Sequence, residues 1–130
     1  MSDPNASRPV ILLAEDEAII ALELSDSLER DGFEVAGPFT TCTAAEAWLK
    51  ANEPSGAILD NALKDGPCEA LAGDLRARGI PFLVYSGHSR TPDLPVVFED
   101  VPWIEKPIPA EALLRALRHS LAPGALSEPF

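Results

Sequence analysis

Basic residues are scarce in this chain: 10 Lys and Arg stand against 21 Asp and Glu, giving a formal net charge of −11. A surface this acidic repels a phosphate backbone, and no run of basic residues relieves it, so direct nucleic-acid binding is disfavoured. Cysteine is also scarce. Cys42 and Cys68 are too few for a disulfide framework and do not form a CxxC pair, so both are expected to be reduced, partly buried, small apolar residues. A zinc site would have to recruit His88 and His119 at irregular spacing, which disfavours it. Long apolar runs are missing as well. No stretch approaches the roughly 18 residues that span a bilayer, and Met1 to Val10 contains one Arg and no apolar core of a signal peptide. A soluble, cytoplasmic protein without membrane contact is expected.

What remains is enough for one domain. The 130 residues are 46% hydrophobic, which suffices for a proper core. Residues 1–8 read as a flexible N-terminus, 9–122 as the folded domain and 123–130 as a loose tail.

Within the domain the hydrophobic period alternates. Val10-Ile11-Leu12-Leu13-Ala14 is a continuous apolar run, as in a strand buried on both faces. From 17 to 30 the period changes: Ile20, Leu24 and Leu28 recur at four-residue steps, and Asp31-Gly32 stops the helix. Phe33 to Ala36 reads as a short strand ending before Gly37-Pro38. Thr43 and Glu46 then form a capping box for a helix over 44–51, with Trp48 in the core. Ala57 to Asp60 is a third strand, Pro67 to Arg78 a helix with Pro in its first turn, and Pro81 to Ser86 a fourth strand. Between Gly87 and Pro102 stand Pro92, Pro95 and Pro102, and each Pro inside a helix costs about 3 kcal/mol. At most a single turn near 96–100 is expected there. A short strand over Trp103 to Glu105 and a helix from Ala110 to Leu121 complete the pattern, with Leu113, Leu117 and Leu121 inward. Repeated β-α units of this kind give a parallel sheet with helices on both faces.

Glu15 and Asp16 close the first strand and Asp60 closes the third, so the three acids meet at the carboxyl edge of such a sheet. Two carboxylates about 5 Å apart repel by roughly 3 kcal/mol at an effective dielectric near 20, so a cation or proton must offset the cluster. Magnesium suits an oxygen-only set with few carboxylates. Single acids at strand ends are more often helix caps; it is the combination with Ser86 and Lys106 that reverses this.

Acids after the first and third strands, a hydroxyl after the fourth (Ser86) and Glu105-Lys106-Pro107 after the fifth resemble the receiver domain of bacterial response regulators. The resemblance covers about residues 8–122 and implies a flavodoxin-like, doubly wound, five-stranded parallel sheet of order 2-1-3-4-5. It implies Asp60 as the phosphoacceptor. Asp16 would bind Mg2+ directly, Glu15 through water, and the Ala62 backbone carbonyl would be a further ligand. Ser86 would hydrogen-bond the phosphoryl group, Lys106 would pair with it, and Trp103 would take the place of the aromatic switch. The Lys106-Pro107 bond is cis in that family. The proline-rich span after Ser86 departs from most receivers, whose fourth helix would here be short or absent. It resembles a single-domain subgroup with an aromatic-x-Thr-Gly-aromatic signature, with Ser86 in place of Thr and His88 in place of the aromatic residue.

The implied function is a stand-alone phosphoreceiver of a two-component system or phosphorelay. It would catalyse only its own phosphoryl transfer and dephosphorylation. A sensor histidine kinase would be the donor, and a histidine phosphotransferase or another protein would lie downstream. The alternative is a receiver-like binding module that is never phosphorylated. A phosphatase of the haloacid dehalogenase type would want a second Asp where Ala62 stands.

Overall fold

The structure is a computed structural model and describes residues 8–122. Of the expected flexible N-terminus only Arg8 falls among these, and the expected tail, 123–130, lies outside them. Five strands alternate with helices: β1 (Val10–Ala14), α1 (Ala18–Arg30), β2 (Glu34–Phe39), α2 (Cys42–Ala51), β3 (Gly56–Leu59), α3 (Glu69–Ala77), β4 (Phe82–Ser86), β5 (Trp103–Glu105) and α4 (Ala110–Leu121). The sheet is parallel, of order β2-β1-β3-β4-β5. This is the doubly wound, flavodoxin-like arrangement that the resemblance to receiver domains implies.

The three central strands, β1, β3 and β4, are buried on both faces because helices cover both. On one side Ile11, Leu13, Ile58, Leu83 and Tyr85 pack against Leu24 and Leu28 of α1 and Leu113 and Leu117 of α4. On the other side Leu12, Leu59, Phe82 and Val84 meet Leu49 of α2 and Leu71 and Leu75 of α3. Between β4 and β5 there is one 3-10 turn, Val96–Phe98, rather than a full helix. Phe98 and Val101 nevertheless extend the second core, so this short segment still shields the sheet.

Four local expectations need correction. First, β2 continues through Gly37-Pro38 to Phe39. Pro lacks a donor, but β2 is an edge strand and does not need one there. The register runs Leu12↔Ala36 and then Ala14↔Phe39, a bulge with one extra residue on β2. Gly37 has φ +109, and a Cβ there would lie 2.7 Å from the Leu13 carbonyl oxygen, so only glycine fits the bulge. Second, α2 begins at Cys42 and is capped by Thr41, whose hydroxyl accepts from the Ala44 N–H at 3.1 Å. The Thr43 side chain is engaged elsewhere, with Asp65. Third, α3 starts at Glu69, not Pro67, because Cys68 at its N-cap is left-handed, with φ 41. Fourth, Cys42 and Cys68 are not reduced thiols. They form a disulfide with Cα atoms 5.2 Å apart, across 26 residues of sequence.

Candidate functional site

The carboxyl ends of β1 and β3 place the acids by backbone hydrogen bonds. The Asp60 N–H donates to the Ala14 carbonyl and the Glu15 N–H to the Phe39 carbonyl, each at 2.9 Å, so both residues continue the ladder one step beyond their strands. The β2 bulge brings that Phe39 carbonyl level with Glu15. As a result Glu15, Asp16 and Asp60 each present a carboxylate oxygen within 4.8 Å of the others. Glu15 and Asp60 are buried and Asp16 is partly exposed.

Lys106, immediately after β5, closes the cluster. Its ammonium donates to Glu17 at 2.7 Å, to Asp60 Oδ2 at 3.0 Å and to Glu15 Oε2 at 3.1 Å. Burial works against the lysine charge, but the carboxylates, Glu17 foremost, hold its pKa above the ordinary value. Glu15 moves the opposite way. Burial raises its carboxyl to about 7 and the Asp60 carboxylate adds to the rise, against the Glu17 N–H and Lys106. One ammonium thus faces three carboxylates in addition to Asp16, leaving excess negative charge in oxygen donors. That set fits a divalent cation.

The other expected residues gather at the same edge. The Ala62 N–H donates to Asp60 Oδ1 at 2.9 Å, which fixes the carboxylate and holds the loop beside it. Ser86 is fully buried. Its Oγ accepts from the His88 N–H at 3.0 Å and its carbonyl from the Lys106 N–H at 2.7 Å, so the ends of β4 and β5 are joined beneath the cluster. Trp103 sits farther back along β5, half-buried. Its indole N–H donates to the His88 carbonyl at 2.9 Å, and its ring meets Phe98 edge-on at 6.3 Å. The Lys106–Pro107 peptide is cis, as expected. His88 and His119 are both exposed.

Four residues with roles around the site were not singled out in the sequence. Glu17 gives Lys106 its shortest contact; the only signal was a third acid directly after Glu15-Asp16. Asp65 bonds the first turn of α2 through the Cys42 and Thr43 N–H groups and the Thr43 hydroxyl. Arg90 donates to the carbonyls of Phe98 and Val101 and lies 5.6 Å over the Trp103 ring. The Tyr85 hydroxyl accepts from the Ile108 N–H at 3.1 Å, holding the chain just past Lys106-Pro107. No sequence pattern marks these last two contacts.

No family model matches the sequence, and a search of curated proteins finds no match. Solved structures do match. The chain is 33% identical to SdrG from Pseudomonas melonis Fr1 in its BeF3-activated conformation, covering 89% of this chain and 99% of that one, with a TM-score of 0.70. It is 27% identical to the non-phosphorylated HemR receiver domain from Leptospira biflexa, over 88% of this chain and 95% of that one, with a TM-score of 0.77. A response regulator receiver protein from Sinorhizobium medicae WSM419 is 26% identical, over 88% and 95%, with a TM-score of 0.74. With this sheet order, and with near-complete coverage of these relatives, the chain belongs to the CheY-like response regulator receiver family.

Proposed function

We propose that the protein accepts a phosphoryl group on Asp60 from a sensor histidine kinase and signals through protein contacts. The observation that carries this reading is the Lys106 ammonium, seated between buried Asp60 and Glu15 at the carboxyl edge of the sheet. Membership of the receiver family supports it further.

In this reading an Asp60 carboxylate oxygen attacks phosphorus in line as the bond to the donor's imidazole nitrogen breaks. Glu15, Asp16, Asp60 and the Ala62 carbonyl are the residues to hold Mg2+. When bound, Mg2+ would neutralise phosphoryl oxygens that the acidic pocket alone would repel. Lys106 pairs with a phosphoryl oxygen, exchanging its contacts with Asp60 and Glu15 for it. Glu17 keeps the ammonium in place from the solvent side. Ser86 turns its hydroxyl to the phosphoryl group, which withdraws an acceptor from the His88 N–H and so reaches Trp103 through the His88 carbonyl. The protein's own chemistry ends with this transfer and with hydrolysis of the acyl phosphate. No described helix is long and apolar enough to cross a membrane, and a cytoplasmic encounter with the kinase is the setting proposed.

The test is incubation with acetyl phosphate, followed on a phosphate-affinity gel. A retarded band is expected with Mg2+, lost with a chelator and lost in Asp60→Asn. No band under any condition would leave a receiver-like binding module as the better reading.

A further inference from the structure

The Cys42–Cys68 bridge closes a segment that contains Asp60 itself. Its ends are strategic: Cys42 is the first residue of α2, and Cys68 is the N-cap of α3, at the end of the loop that begins with Asp60. The same two places are tied a second time. Asp65 accepts from the Cys42 N–H at 2.6 Å, from the Thr43 N–H at 3.1 Å and from the Thr43 hydroxyl at 2.8 Å. The Cys42 N–H, foremost among these, holds the Asp65 carboxyl below its ordinary pKa. Gly66 packs close by, with its Cβ position 3.4 Å from Cys42 Sγ. The loop that carries Ala62 is therefore pinned to α2 by one covalent and one non-covalent link. Losing the covalent link leaves the second in place, so the fold can persist while residues 61–68 gain freedom.

We propose that Cys42 and Cys68 are a reversible thiol–disulfide modification site whose oxidation state sets how fast Asp60 accepts a phosphoryl group. The inference rests on the phosphoreceiver reading above. Its reagent class is a low-molecular-weight disulfide. One cysteine, as thiolate, attacks that disulfide and expels one thiolate. The second cysteine, also deprotonated, attacks the mixed disulfide and expels the other. Two protein thiols are oxidised, one external disulfide is reduced to two thiols, and a dithiol reverses the exchange. The oxidised form holds Ala62, whose N–H positions Asp60 Oδ1, against a fixed α2. The reduced form relies on Asp65 alone. Both cysteines are buried, 4% and 5% exposed, so exchange requires the loop to open, and the Asp65 contacts oppose that opening.

The experiment uses the whole chain, equilibrated with oxidised glutathione or with dithiothreitol. Free thiols are counted by alkylation and mass spectrometry, and the initial rate of phosphorylation by acetyl phosphate and Mg2+ is then measured. The oxidised form is expected to show no alkylatable thiol. The reduced form is expected to react roughly fivefold more slowly, at the low end of couplings between sites in one protein. A double variant, Cys42→Ser with Cys68→Ser, should run at the reduced rate under both conditions, and Asp65→Ala should speed reduction of the bridge. Equal rates in the two wild-type forms, or two alkylatable thiols in the glutathione sample, would overturn this inference and leave the phosphoreceiver reading standing. Absence of phosphorylation in every form would overturn both.

Discussion

The Lys106 ammonium lies 3.0 Å from Asp60 Oδ2 and 3.1 Å from Glu15 Oε2, and all three side chains are less than a tenth exposed. Removing one partner from a buried ionic group costs about 3–5 kcal/mol when the remaining charge stays buried and unpaired. Here Glu15 can take up a proton instead, because its pKa already stands near 7. Lys106→Met is therefore expected to destabilise the protein by only about 2 kcal/mol at neutral pH, less than the full cost of an unpaired buried charge. Urea denaturation measures this, and Mg2+ should restore part of the loss. A variant as stable as the wild type without metal would show that the lysine does not neutralise the cluster.

Glu15 gives a pH dependence whose sign is fixed. Its folded pKa, about 7, lies above the ordinary 4.5, so its contribution to stability is full below about 4.5 and is lost as pH rises through 7. In a chelating buffer the wild type should lose stability relative to Glu15→Gln across that window. Mg2+ should cancel the difference by making the ionised carboxylate useful. Denaturation midpoints of the two proteins across the window decide the matter, and parallel profiles without metal would contradict the shift.

Tyr85 holds the segment after Lys106-Pro107 through its hydroxyl, which accepts from the Ile108 N–H at 3.1 Å and donates to the Ile108 carbonyl at 3.3 Å. Tyr85→Phe removes both partners at once and leaves a half-buried amide unsatisfied. The expected loss is about 1–2 kcal/mol, with faster hydrogen exchange at the Ile108 amide. An unchanged exchange rate there would mean that the segment is held by something else.

The sheet was legible because its strands are continuous apolar runs: Val10–Ala14 and Phe82–Ser86 need no partner to be recognised. The site was legible for a related reason, since Glu15, Asp60 and Lys106 each follow a strand directly and Ser86 ends one. What escaped the sequence depends on contacts between distant segments. Thr41 and Thr43 are both adequate caps, and only the position of Asp65, 22 residues after Thr43, assigns Thr43 elsewhere. Spacing alone gave no reason to join Cys42 to Cys68, because their pairing exists only once α2 and α3 are packed on the same face. Pro38 argued for ending β2, yet an edge strand with a glycine bulge tolerates it.

Trp103 is tied to Ser86 through one residue: His88 donates its N–H to Ser86 Oγ, and its carbonyl accepts from the Trp103 indole. A Ser86 hydroxyl drawn toward a phosphoryl group should therefore alter the surroundings of Trp103. In a Trp48→Phe background, which leaves Trp103 as the sole tryptophan, addition of beryllofluoride and Mg2+ should change the emission spectrum. Asp60→Asn should abolish that change. A spectrum unaffected by saturating beryllofluoride would remove Trp103 from the signalling route.

The most direct measurement concerns Asp60 itself. After reaction with acetyl phosphate and Mg2+, borohydride reduction converts an aspartyl phosphate to homoserine, and peptide mass spectrometry then locates the modified position. The expected result is homoserine at position 60, dependent on Mg2+ and absent from unreacted protein. Modification at another residue, or none where the phosphodonor has been consumed, would contradict the assignment of Asp60 as the phosphoacceptor.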